Sequence, residues 1–168
     1  MDHVWTCKCC SKMHYTLPFA YAFEGPDAWF VIPENDRERR VQRSSDQYVI
    51  DDKEFYVRAR LEVPVIGKCQ LFIWGVWVSV SEANFARIGD LWEVEIRNRE
   101  PPIFGWLAND FSIYPQTFNL KCNLHLQNAG ERPLVALEPT VHPLSMEQRK
   151  GMTIERVKEI AAAVIRHS

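Results

Sequence analysis

Phe55-Tyr56-Val57-Arg58-Ala59-Arg60-Leu61-Glu62-Val63 is the stretch that decides the fold. Phe55, Val57, Ala59, Leu61 and Val63 point one way; Tyr56, Arg58, Arg60 and Glu62 point the other. Strict period two predicts a strand with one buried face. A turn around Gly67-Lys68 leads into residues 71–80, apolar on both faces. Such a run predicts a central strand covered on both sides. The pair reads as an antiparallel hairpin.

Working outward, Ser79 or Ser81 caps a helix in which Phe85, Ile88 and Trp92 recur at spacings of three and four. Residues 103–107 read as a short strand. Further on, Phe118, Leu120, Cys122, Leu124 and Leu126 point inward, with Thr117, Asn119, Lys121, Asn123, His125 and Gln127 outward. Asn128-Ala129-Gly130 turns that strand back into residues 134–137. A last helix, capped by Thr153, carries Ile154, Val157, Ile160, Ala161, Val164 and Ile165 as its core stripe. Upstream, residues 33–44 form a short exposed helix in which Asp36 reaches Arg39 and Arg40. The expected class is α+β: an antiparallel sheet of about five strands with helices packed on one face, and a short N-terminal cysteine knuckle. All 168 residues are read as a single domain, residues 1–15 forming the knuckle and 16–168 the sheet-and-helix core.

A net charge of −2 weighs against nucleic acid or an anionic membrane as partner. The start, Met1-Asp2-His3-Val4-Trp5-Thr6-Cys7, lacks the basic and apolar regions of a secretory signal. The longest apolar run, residues 71–78, is too short to span a bilayer. The expected setting is therefore the cytoplasm. There the cysteines are thiols or metal ligands and not disulfides. Cys122, on the apolar side of its strand, reads as a small core residue.

Four constellations carry chemistry on paper. The first is Cys7-x-x-Cys10 with His14. A tight turn brings two thiolates at that spacing to one side of a tetrahedral cation, and His14 offers a third ligand. The distant His142 is the candidate fourth, and Cys9, beside Cys10, would strain the chelate. A zinc site and a loop with free thiols are both open readings; the βαβ setting of a redox motif is missing. The second, Cys122-x-x-His125, fails because residues three apart on a strand face opposite ways. The third is the open face formed by Arg58, Arg60 and Glu62 on one strand and Lys121, Asn123 and His125 on another. An ordinary solvated face is the commoner use of such residues, and a partner surface is the functional one. The fourth is the two-proline tract from Leu137 to Leu144, where His142 before Pro143 is held out of helical geometry.

Several tracts together resemble a known family. They are Cys7-x-x-Cys10 with His14, Phe55-Tyr56-Val57-Arg58, Trp74-Gly75-Val76-Trp77-Val78-Ser79-Val80-Ser81-Glu82, Phe104-Gly105-Trp106-Leu107, Leu137-Glu138-Pro139-Thr140 with His142-Pro143, and Glu147-Gln148-Arg149. In this order they resemble the bacterial family catalogued as domain of unknown function 2199. The resemblance implies a bacterial, single-domain protein with a cysteine knuckle and implies no activity. The chain departs from the family pattern at Ser11, where glycine follows the second cysteine, and at the additional Cys9.

No phosphate loop, dinucleotide fingerprint, nucleophile elbow or His-Glu-x-x-His motif is present. The expected function is a non-enzymatic protein-binding module of adaptor, inhibitor or toxin-neutralising type, stabilised by zinc and bound to a protein partner. The alternative is a metal-dependent enzyme with zinc on Cys7, Cys10 and His14, helped by Glu138 or His142.

Overall fold

The computed structural model describes residues 4–8, 10–14 and 16–167. Met1–His3, on which part of the signal argument rests, and Cys9, with its strained chelate, lie outside the described residues.

The deciding stretch is β6 (Glu54–Pro64), the sixth strand in chain order. It pairs with β7 (Leu71–Val80) through ten antiparallel positions, from Phe55 opposite Val80 to Pro64 opposite Leu71. The alternation holds: Val57, Ala59, Leu61 and Val63 are fully buried, as are Phe72, Val76 and Val78 across from them. Three more strands follow: β8 (Ile103–Leu107), β9 (Lys121–His125) and β10 (Leu134–Leu137). β7, β8, β9 and β10 are joined in sequence by antiparallel ladders. β10 then lies parallel to β6, with Leu134 opposite Arg60.

That last pairing corrects the expected plain antiparallel sheet. The five strands β6–β10 close into a barrel with one parallel seam. Closure removes the free edges that an open sheet of this size would expose. Three short strands extend the sheet outside the ring. β3 (Ala20–Ala22) runs parallel to the first half of β7, while β5 (Gln47–Ile50) pairs with β6 and β4 (Val41–Arg43) with β5. β1 (Trp5–Thr6) and β2 (Met13–His14) form a separate two-stranded hairpin, the knuckle.

Helices occupy both faces of the β6–β7 hairpin, not one. α3 (Glu82–Asp90), α4 (Pro143–Lys150) and α5 (Ile154–His167) contribute Ile88, Leu144, Val157, Ile160 and Ala161 to the cluster that fills the barrel. On the outer side, α1 (Asp27–Phe30) sets Trp29 in a second cluster with Tyr48, Tyr56 and Trp77. Tyr56 and Trp77 are the aromatic exceptions to the polar outward face, and they call for that cover. Asn109 ties the layer down. Its Oδ1 accepts from the Trp77 amide at 2.8 Å, and its Nδ2 donates to the Gly25 carbonyl at 2.9 Å. Unpaired, these buried groups would be costly.

Other boundaries shift for local reasons. α2 (Glu34–Arg40) contains the Asp36–Arg39 pair at 2.9 Å, but Arg40 turns to Asp51 instead. Ser81 caps α3 by accepting from the Asn84 amide, the helix ends at Asp90, and Trp92 lies beyond it, exposed. Asn119 takes a φ of 68°, so β9 starts only at Lys121. Thr117, expected outward, is fully buried: its hydroxyl donates to the Asn109 carbonyl and accepts from the Phe111 amide. No helix among the described residues is long and apolar enough to cross a membrane.

β8 meets β7 at Gly105. A Cβ there would lie 2.5 Å from Val78 Cγ1 and 2.7 Å from the Ser79 carbonyl oxygen, neither of which can swing away. We expect Gly105→Ala to destabilise the protein by about 2–3 kcal/mol through overpacking. Gly89 in α3 has open space around it. Gly89→Ala should stabilise by up to about 1 kcal/mol from helix propensity. Urea unfolding followed by circular dichroism reads both signs.

Candidate functional site

The knuckle is built by a tight reversal between β1 and β2. The Cys7 amide donates to the Lys12 carbonyl, and the Ser11 amide to the Cys7 carbonyl, both at 2.9 Å. Ser11 closes the turn with a φ of 55°. That is the left-handed region, which glycine enters freely and a side chain enters at a cost of about 1–2 kcal/mol. A serine thus holds a backbone conformation that glycine would take more cheaply.

The reversal brings three donors together. One ligand atom each from Cys7, Cys10 and His14 lie within 4.8 Å of one another. Cys10 Sγ is 3.4 Å from His14 Nε2. Sulfur and nitrogen ligands about 2.3 and 2.0 Å from one tetrahedral ion would sit about 3.5 Å apart, so this spacing suits a metal. Cys7 is fully buried, while Cys10 and His14 are partly exposed. The His14 ring stacks on Trp5 at 5.0 Å, and Trp5 is pinned by its Nε1–H to the Thr16 carbonyl at 3.0 Å. Trp5 and Cys7 also belong to the main core, which fixes the knuckle to the barrel. The Cys7–Cys10–His14 group is thus arranged to hold a metal ion.

His142 does not join it. Its backbone is the N-cap of α4, and its Nδ1 accepts from the Leu144 amide at 3.1 Å. That leaves the proton on Nε2, which lies 3.0 Å from the Pro115 carbonyl and 3.1 Å from that of Gln116. With both ring nitrogens engaged, His142 is a structural histidine, and the expectation of a fourth ligand there is corrected.

Cys122 is buried in the barrel and His125 is exposed, on opposite faces of β9. Burial pushes the Cys122 thiol up to about 12.

The six residues expected on one open face do lie outside the barrel, but its curvature divides them. Arg58, Arg60 and Glu62 lie on β6, and Lys121, Asn123 and His125 on β9, with β10 between. Leu134 links the halves, standing opposite His125 on one side and Arg60 on the other. Arg60 pairs with Glu62 at 2.9 Å. On the far side, Asn123 faces Phe104 and Lys121 faces Trp106. These two aromatics form a T-shaped pair at 4.7 Å, with Phe104 42% and Trp106 36% exposed. The sequence reading missed them as surface residues, although the alternation across residues 103–107 carries the signal.

A family model described as an uncharacterized protein conserved in bacteria (DUF2199) matches residues 6–152. No curated protein matches the chain. No solved structure matches it.

Two outcomes follow. Ser11→Gly should stabilise the metal-free protein by about 0.5–1 kcal/mol, the relief of the left-handed serine less the added freedom of the unfolded chain, as read by chemical denaturation. Cys122 should resist iodoacetamide at pH 8.5 until the fold opens, as peptide mapping would show. Its folded pKa lies above the unfolded value of about 8.5, so stability falls as pH rises from there toward 12.

Proposed function

The chain belongs to the DUF2199 family of bacterial proteins, and from that premise we propose that it is a non-enzymatic protein-binding module of the cytoplasm whose knuckle is held by zinc. The observation that carries the reading is the exposed Phe104–Trp106 pair beside Lys121, Asn123 and His125. Aromatic side chains lose little entropy on binding and supply large contact area, and a cationic rim selects a complementary partner. Lys121 supplies that charge, and Asn123 and His125 add hydrogen-bonding groups beside the two rings. A protein surface bearing carboxylates is the partner it fits.

Zinc suits the donor set. Two thiolates and an imidazole are the ligands it shares with other borderline-soft ions, and zinc accepts the tetrahedral spacing without redox chemistry. Its role here is to brace a hairpin of two-residue strands, too short to stand alone. The enzyme reading loses one of its two proposed helpers, because His142 is committed to the α4 cap.

Protein purified under reducing conditions should carry one equivalent of zinc by elemental analysis. Chelation should lower its stability by about 3 kcal/mol relative to a zinc-saturated sample. Equal melting of the metal-free and zinc-loaded forms would end the bracing role. For the partner, tagged protein should retain a stoichiometric protein from its native host's lysate. A Trp106→Ser, Lys121→Glu variant with unchanged circular dichroism should lose it. Equal retention by that variant would place the docking surface elsewhere.

A further inference from the structure

Arg58 and Arg60 belong to more than a flat face. With Arg97 and Arg132 they line a cavity of about 460 Å³ on the outside of the barrel. Four guanidiniums here face two carboxylates of the lining, Asp46 and Glu131. Asp46 is engaged by Arg132 at 2.9 Å. Burial works against the Asp46 charge, yet hydrogen bonds from Arg132 and Ser45 and the charge of Arg58 hold its carboxyl below the usual range. It is thus ionised and matched to Arg132. Arg60 has Glu62 at 2.9 Å. The remaining pair, Arg58 and Arg97, takes part in no ion pair among the described residues.

Arg97 is the unusual member. It is only 5% exposed, and its hydrogen bonds run to the carbonyls of Leu91, Trp92, Gln127 and Glu131. Carbonyl dipoles satisfy its donors without cancelling its charge, so it projects positive potential into the cavity. Arg58 reaches the Ser45 carbonyl and keeps further donors for a ligand. A second depression, lined by Tyr21, Ile73 and Gly75, shares Arg58, Arg60 and Arg132 as its wall.

We propose that this cavity binds the phosphate group of a small molecule. Planar guanidiniums match phosphate oxygens in bidentate fashion, and several converging on one concavity select a multiply charged anion over chloride. The volume lies in the range of small-ligand sites and exceeds what one phosphate fills. Trp92, lining the cavity with Arg97 at 5.6 Å from its ring, offers a flat wall to the rest of the ligand. The site does not depend on the protein-docking reading, whose aromatic pair lies on β8.

Isothermal titration at constant ionic strength tests it, with inorganic pyrophosphate and citrate as probes. We expect one saturable pyrophosphate site, weakened by about tenfold or more in Arg58→Gln and in Arg132→Gln. Arg39→Gln, on α2 and away from the cavity, should bind as the parent does. No saturation by about millimolar pyrophosphate, preference for citrate, or equal binding by all three variants would each overturn the proposal. Protein-partner capture by the unliganded protein is scored separately, so either reading can fail alone.

Discussion

Closure of five strands is the constraint from which the rest of the structure follows. A ring this small leaves room inside for side chains only, and the inward positions of β6 and β7 are accordingly filled by Val, Ala, Leu, Phe and Trp without a charge among them. Closure also dictates where glycine stands. β7 accepts β3 along its first half and β8 along its second, and at each join a glycine makes the approach possible: Gly75 against Ala22, Gly105 against Val78. Every polar cluster described above is consequently displaced to the outside of the ring or to the knuckle beside it.

The hairpin, the inward sides of β6 and β9, the Ser81 and Thr153 caps and the stripe of α5 as far as Val164 were legible because each is a local pattern, whereas Ile165, expected in that stripe, is exposed. The barrel was not. Its parallel seam joins residue 134 to residue 60, and nothing in either stretch announces the other. Thr117 illustrates a second limit: an outward place in an alternating pattern became a buried turn once Asn119 left the extended region. The covering of Tyr56 and Trp77 by α1 shows a third. Outward aromatics signal a second layer, but only the fold says which helix supplies it.

The metal ligands followed the same division. Cys7, Cys10 and His14 sit within one reversal of the chain, so spacing alone brought them together. His142 was a guess across the fold, and the local rule that actually governs it, a residue before proline capping a helix, points its ring at Pro115 and Gln116. Arg97 and Arg132 escaped notice for the converse reason. They lie on irregular segments without periodicity, and only tertiary structure sets them beside Arg58 and Arg60.

The seam between β10 and β6 has one more consequence, for biosynthesis. While the ribosome is still delivering the second half of the chain, the β6–β7 hairpin is complete but its outer edge has no permanent neighbour beside Arg60. Only after Leu134 emerges can the ring shut, and α4 and α5, which help fill it, come later still. Long-range pairing of this kind is slow and leaves strand edges open to other chains in the meantime. The charges that alternate with the apolar residues of β6, Arg58, Arg60 and Glu62, are of the kind that discourages pairing with other chains while the edge is open.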